Sequence, residues 1–502
     1  MMNGCRKSDS AIVPERFPNK EEEKSTLAEE MEGRALGKGK TLFRNRDWTQ
    51  CQKESSLTKA KERIREAARK DKDQKFTALW HHVYNVDHLQ EVFHELKPTA
   101  AAGVDEKTWM GYQANLMENL RNLSERLKRG AYRAKPVKRI YIPKPDGNQR
   151  PIGITALEDK IVQRVTTQVL EPIYETDFVG FSYGFRPKRS ALDALDALLV
   201  GLEKRKVSWV LDADIQRFFD TIDHEWLVKF VEHRIADKRI IRHIKKWLKA
   251  GVMEGRSLKA SLEGTPQGGS ISPLLANIYL HYVFDLWINR WRKQTAKGEV
   301  IVVRYADDFV IGFQYEFEAT GFLAELQERL NRFNLKIHPE KTRLIEFGRF
   351  AKANRKRSGK GKPETFEFLG FKLICGRKRN GGFKVIRKTI RKRMWRKLKA
   401  IKEDLRLRMN HSIKSVGEWL NRVLKGHYNY FGVPSNYESI SVFYAEIVKA
   451  WHRMLKRRSH KNKITWERMM RIANKNLPKP RIVHRYPDER LRVMTQARSP
   501  VR

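Results

Sequence analysis

Two adjacent carboxylates, Asp307 and Asp308, lie between apolar runs in VIVVRYADDFVIGF (300–313). Strands this apolar pass through a core, where two carboxylates repel each other and lose water at a cost of several kcal/mol. A divalent cation removes that conflict, because hard oxygen ligands at a turn suit Mg2+. Alone, an Asp-Asp pair more often caps a turn. A second carboxylate source changes the balance. In VSWVLDADI, Val207, Trp209, Leu211, Ala213 and Ile215 share one strand face, which leaves Asp212 and Asp214 on the other. A strand-end Asp beside a hairpin Asp can set two metal ions about 3.5–4 Å apart for in-line phosphoryl transfer. Alternation alone leaves Asp212 and Asp214 equivalent.

Two further segments suit a phosphorylated ligand. GTPQGGS (264–270) lets backbone approach closely, and a helix opens just after it, with Ser272 as expected N-cap and Pro273 at the first position. IPKPDGNQRPIGI places Lys144 and Arg150 on either side of a Pro-Asp-Gly turn, where they could clamp phosphates. Gly-rich connectors and solvated basic faces are the plainer alternatives for each.

These residues need elements to hold them. VKRIYIPKPDGNQRPIGI alternates as a hairpin, and VSWVLDADI and the two arms of the Asp-Asp turn read as strands. Helical spacing marks about 157–174, 190–204, the stripe Leu274, Ile278, Tyr282, Leu286, and 318–333. LKIHPEKTRLIEFG reads as a strand, and residues 352–362, with six Lys or Arg, as a basic loop. Beyond Val385 the expectation is basic helices, since 387–399 holds eight Lys or Arg and no acid. The coarse order is a helical arm, a mixed α/β centre with antiparallel hairpins, and basic helices at the end. Residues 1–55 read as a poorly ordered polar arm.

Composition bounds the function. The 502 residues carry 103 Lys plus Arg against 59 Asp plus Glu, a net charge of +44, which points to a polyanionic partner rather than an ordinary small metabolite. At 40% hydrophobic the chain can build a core, so wholesale disorder is excluded. Cys5, Cys51 and Cys375 form no Cys-x-x-Cys pair, which fits a reducing compartment. Neither a secretory signal nor a membrane span is expected.

Taken in order with AAGVDEKT, SYGFRPKRSALDAL, LDADIQRFFDTIDH, HPEKT, FEFLGF and GHYNYFG, these blocks resemble the group II intron-encoded reverse transcriptases, or maturases, from about residue 75 to the C-terminus. The YADD motif is the form that family favours. The resemblance implies a right-hand polymerase: an N-terminal extension and α/β fingers (56–205), an α/β palm with an antiparallel sheet and the YADD hairpin (206–384), and an all-α thumb, or domain X (385–450). A small basic DNA-binding segment (451–502) follows.

By the same resemblance Asp214, Asp307 and Asp308 are the catalytic carboxylates holding two Mg2+ ions, with Asp212 at a position the family varies. Gln267 and Gly268 line the incoming deoxynucleoside triphosphate, Lys144 and Arg150 hold its triphosphate, Phe219 blocks a ribose 2′-hydroxyl, and Lys341 stands near the site. Arg387, Lys388, Arg391, Lys392, Arg396, Arg457 and Arg458 are expected to contact nucleic acid. Trp395, Trp419, Tyr428 and Phe431 are expected in the thumb core. The implied partners are intron RNA, an RNA template–DNA primer duplex and target DNA, in a bacterial cytoplasm near the nucleoid. The family's optional His-Asn-His endonuclease is not expected. A splicing-only RNA-binding maturase, or a phage-defence or CRISPR-associated reverse transcriptase, are the rival readings.

Overall fold

The computed structural model describes residues 56–143, 149–254, 257–259, 264–265, 268–458 and 464–495. The polar arm expected over 1–55 lies outside them, as do Lys144 and Gln267.

The centre of the molecule is an antiparallel sheet of order β6-β7-β3-β8, built from β3 (Trp209–Asp214), β6 (Val300–Tyr305), β7 (Asp308–Phe313) and β8 (Arg343–Glu346). Alternation sends Leu211, Val302, Phe309, Ile311 and Phe313 into one core. That core is roofed by α1 (Leu157–Asp177), by α4 (Ser272–Leu280) and by α5 (Glu316–Asn331). Val210, Ile301, Val303 and Val310 face a second core, against α2 (Ala191–Lys204) and a three-stranded sheet of β9 (Phe366–Phe368), β10 (Phe371–Arg377) and β11 (Phe383–Thr389). Both faces of the sheet are thus covered at one end. At the other end the second cover stops, and there Asp212, Asp214 and Asp308 stand on the Val210–Val310 face. Polar residues occupy a strand where its roof ends.

A second four-stranded sheet, β2-β1-β4-β5, carries the expected hairpin: β1 (Val137–Pro143) pairs antiparallel with β2 (Gln149–Ile154), placing Ile142 opposite Arg150. β4 (Val252–Glu254) adds parallel to β1, and β5 (Ser257–Lys259) closes the edge. The strand expected over 335–348 is shorter. Only Arg343–Glu346 joins the sheet, and Ile337 makes a single bridge to Ile215. The helix after the Gly-rich loop is capped by Ile271 rather than Ser272, so Pro273 falls at the second helical position.

Basic helices begin later than expected. β10 and β11 pair from Phe371↔Thr389 to Arg377↔Phe383, so the chain is still a strand at Arg387. Four helices follow around a third core: α6 (Arg391–Leu407), α7 (Ile413–Phe431), α8 (Tyr437–Lys456) and α9 (Trp466–Asn476). A last helix, α10 (Pro487–Thr495), returns to α2. No helix among the described residues is long and apolar enough to cross a membrane.

His427 lies inside the third core, stacked on Phe443 at 3.7 Å between ring centroids. Neither ring nitrogen has a partner. Burial, and then Lys397, push its pKa down from 6.5 to about 3. The unfolded chain therefore takes up a proton below about pH 6.5 that the folded chain refuses, so this group destabilises the fold as pH falls from 6.5 toward 3. His427→Phe should remove that loss. Relative to wild type, its melting midpoint should rise on going from pH 7.5 to pH 5, an advantage worth up to about 2 kcal/mol at pH 5. An identical pH response of the two proteins would contradict the assignment.

Candidate active site

Register, rather than alternation, separates Asp212 from Asp214. Across β3 and β7, Asp214 lies directly opposite Asp308, whereas Asp212 lies opposite Val310. Asp307 occupies the turn just before β7, so Asp214, Asp307 and Asp308 meet at one end of the sheet. Asp212 is one pleat back, with Arg343 at 3.7 Å.

The cluster is electrostatically uncomfortable. Although Asp308 is exposed, desolvation by its surroundings, then Asp307, Asp214 and Asp212, push its carboxyl up to about 7. Asp307 is raised by desolvation and by Asp214, and is opposed by the cations of Lys341 and Arg150. Desolvation, against the pull of Arg343, holds Asp212 at about 6. Lys341 reaches in from the loop before β8 and donates to an Asp214 carboxylate oxygen. Desolvation pulls its pKa down, but the bond and charge of Asp214, with Asp308 and Asp307, outweigh it and hold the ammonium above its ordinary value. Among the described residues no group of three or more His, Cys, Asp or Glu side chains is arranged to hold a metal ion. The donor set is nonetheless all hard oxygen, and its mutual repulsion is what a divalent cation relieves.

The expected nucleotide-contacting residues surround this cluster. Arg150 is exposed on β2. Gly268 presses against that same strand: a Cβ there would stand 2.1 Å from the Gly153 carbonyl oxygen. Thr265 N donates to the Phe219 carbonyl (2.7 Å), which ties the Gly-rich loop to the short helix α3 (Phe218–Thr221). Phe219 is half-buried and meets Phe185 and Phe218 edge-on, at 6.3 and 5.5 Å.

The residues expected to touch nucleic acid divide. Arg391, Lys392 and Arg396 are exposed along α6, and Arg457 is exposed at the end of α8. Lys388 bonds Glu438, and Arg458 donates to the His411 carbonyl at 2.6 Å. Arg387 requires correction. It is 1% exposed and donates to the equally buried Asp196 at 2.7 Å, while Arg490 of α10 reaches the other Asp196 oxygen at 2.7 Å. A guanidinium neutralised in the core is not free for phosphates. Trp395 also departs from expectation, being 37% exposed on α6, whereas Tyr428 is buried as expected.

A buried layer beneath the turn was not anticipated. Arg304 and Asp285 form a fully buried ion pair. The available signal is a charged residue inside each of two apolar runs, VIVVR and YLHYVFDLW.

The comparisons with known proteins point to one family. Residues 142–373 match the family model described as reverse transcriptase (RNA-dependent DNA polymerase). The chain is 35% identical over 316 residues to protein YkfC of Escherichia coli, covering 57% of this chain and 78% of that one. It is 36% identical over 224 residues to the group II intron-encoded protein LtrA of Lactococcus lactis, covering 44% of this chain and 37% of LtrA. A 91 kDa protein in a cob intron of Schizosaccharomyces pombe is 27% identical over 422 residues, covering 71% of this chain and 49% of that protein. The chain thus spans less than half of the two intron proteins. A reverse transcriptase match implies a right-hand polymerase fold, and the mixed helices with antiparallel sheets accord with it. The chain belongs to the reverse transcriptases, and within them to the group II intron-encoded reverse transcriptases and maturases.

Proposed function

We propose that this chain extends a DNA primer along an RNA template using deoxynucleoside triphosphates, and that it binds its intron RNA to assist splicing and retrohoming. The register of Asp214 opposite Asp308, one residue from Asp307, carries the reading. A divalent metal, two Mg2+ ions in this reading, would be held by these three carboxylates and would stabilise charge on the phosphoryl oxygens. The rest is the protein's own work. Arg150 supplies positive charge for a triphosphate, with Lys144 and Gln267 assigned beside it by the family resemblance, and the backbone around Gly268 offers close approach. Lys341 supplies a cation beside Asp214 when no other is there.

The central sheet serves as palm, the hairpin sheet and its helices as fingers, and α6–α8 as thumb. The exposed Arg391, Lys392 and Arg396 would meet template–primer phosphates, and the basic C-terminal segment target DNA, with affinity falling as salt rises.

The test is primer extension on an RNA template by the full chain. Template-directed incorporation that EDTA abolishes is expected, and no incorporation would overturn the reading. Phe219 supplies a second check. If its ring blocks a ribose 2′-hydroxyl, Phe219→Val should narrow the preference for deoxynucleotides over ribonucleotides by about 10- to 100-fold, the size of a lost steric discrimination. An unchanged preference would assign the gate elsewhere.

A further inference from the structure

The layer beneath the Asp307–Asp308 turn has a role that simple core packing does not explain. Arg304 alternates onto the face of β6 opposite to Asp308, so it sits under the turn rather than in the cleft. All five guanidinium donors are used. Nε and Nη2 fork onto the two Asp285 oxygens at 2.6 and 2.5 Å. Nη2 also donates to Ser182 Oγ (2.7 Å), and Nη1 to Asn277 Oδ1 (3.2 Å) and to the Ala306 carbonyl (2.9 Å).

That carbonyl belongs to a residue in an unusual conformation. Ala306, immediately before Asp307, has φ +58°, the left-handed region that residues with a Cβ avoid. A conformation of this kind persists only where its surroundings over-determine it, and here they do. Asn277 accepts from Arg304 and donates to the Gly184 carbonyl at 2.7 Å. Gly184 lies so close that a Cβ on it would stand 2.2 Å from Ala306 N. The backbone of Arg304 bonds Phe181 and Tyr183, both at 2.9 Å. Asp285 ends a π-helical segment, His281–Asp285, and such insertions often accompany functional sites.

We propose that Arg304, backed by Asp285 and Asn277, is a positioning residue for polymerisation: it holds the left-handed turn at Ala306 and so sets where Asp307 and Asp308 point relative to Asp214. This rests on the polymerase reading above. A merely structural pair would affect melting, whereas a positioning pair changes turnover in a folded protein.

Breaking one side alone leaves a buried unpaired charge, so the main variant is the double substitution Arg304→Met with Asp285→Leu, since apolar replacement of a buried pair is often neutral for stability. Arg304→Lys is the companion, keeping the charge but losing the fork. Single-nucleotide incorporation, primer–template affinity and melting are measured on the full chain. The double variant should melt near wild type and bind primer–template unchanged, with kcat about 10- to 100-fold lower and KM for the nucleotide little altered. Arg304→Lys should lose turnover in the same direction. Wild-type kcat in either folded variant overturns the proposal, and so does loss of the native melting transition in both, which would make the pair core packing only. An inactive wild-type chain would instead overturn the polymerase reading.

Discussion

Asp308→Asn is expected to leave the protein folded and to lower nucleotide incorporation about 10³-fold or more. The two halves of that expectation come from one fact. Partial desolvation, and then crowding by Asp307, Asp214 and Asp212, push the Asp308 carboxyl up to about 7. An isosteric amide removes a repelling charge, so stability should hold or rise. It also removes one anionic ligand from the only cluster of paired strand-end carboxylates in the central sheet among the described residues, so turnover should collapse. Asp212→Asn is the internal control: one pleat back, with Arg343 at 3.7 Å, it should cost far less activity. Single-nucleotide incorporation on an RNA template, together with thermal melting, reads both effects. Equal losses in the two variants, or full activity in Asp308→Asn, would remove the assigned triad.

The contrast between Asp212 and Asp214 also shows where a one-dimensional reading stops. The turn at Asp307 and Asp308 is legible because two apolar runs flank it, and apolar runs of that length have few alternatives to buried strands. Choosing between Asp212 and Asp214 needs the register of β3 on β7, which is set by residues nearly a hundred positions apart and leaves no local trace. Arg387 failed for a related reason. Dense Lys and Arg read as a solvated helix, but the β10–β11 pairing extends through Thr389, and the acid that neutralises Arg387 is Asp196, in a distant helix. Arg304 and Asp285 were legible in principle. Each is a lone charge inside an apolar run, and two such residues in one chain are candidates to pair in the core. A phosphate clamp at Arg150 and a close approach at Gly268 are readable from turn and glycine placement, whereas the expectation for Phe219 came from resemblance to a family rather than from spacing.

Gly268→Ala should also be strongly damaging, though less so than loss of a carboxylate, for a purely steric reason. Gly268 has φ +119°, a conformation almost confined to glycine, and an added Cβ would lie 2.1 Å from the Gly153 carbonyl oxygen in β2. That neighbour is strand backbone, which cannot rotate away as a side chain could. The methyl must therefore push the Gly-rich loop off β2. The same loop is pinned at its other end, where Gly264 N bonds the Ile222 carbonyl (2.8 Å) and Thr265 N bonds the Phe219 carbonyl (2.7 Å). Displacement by about 1 Å thus reaches both Phe219 and the strand that bears Arg150, and misplacement of that size can cost about 10²-fold in rate. Strain at a single backbone position of this kind costs about 1–3 kcal/mol, so melting should fall modestly while kcat/KM falls about 10²-fold. Gly180→Ala provides the comparison, since nothing lies within 4 Å of a Cβ there. Its kcat/KM and melting should match wild type. If Gly268→Ala also keeps wild-type kcat/KM, the loop is not held against the hairpin in the working enzyme, and neither Gly268 nor Arg150 belongs to one nucleotide site.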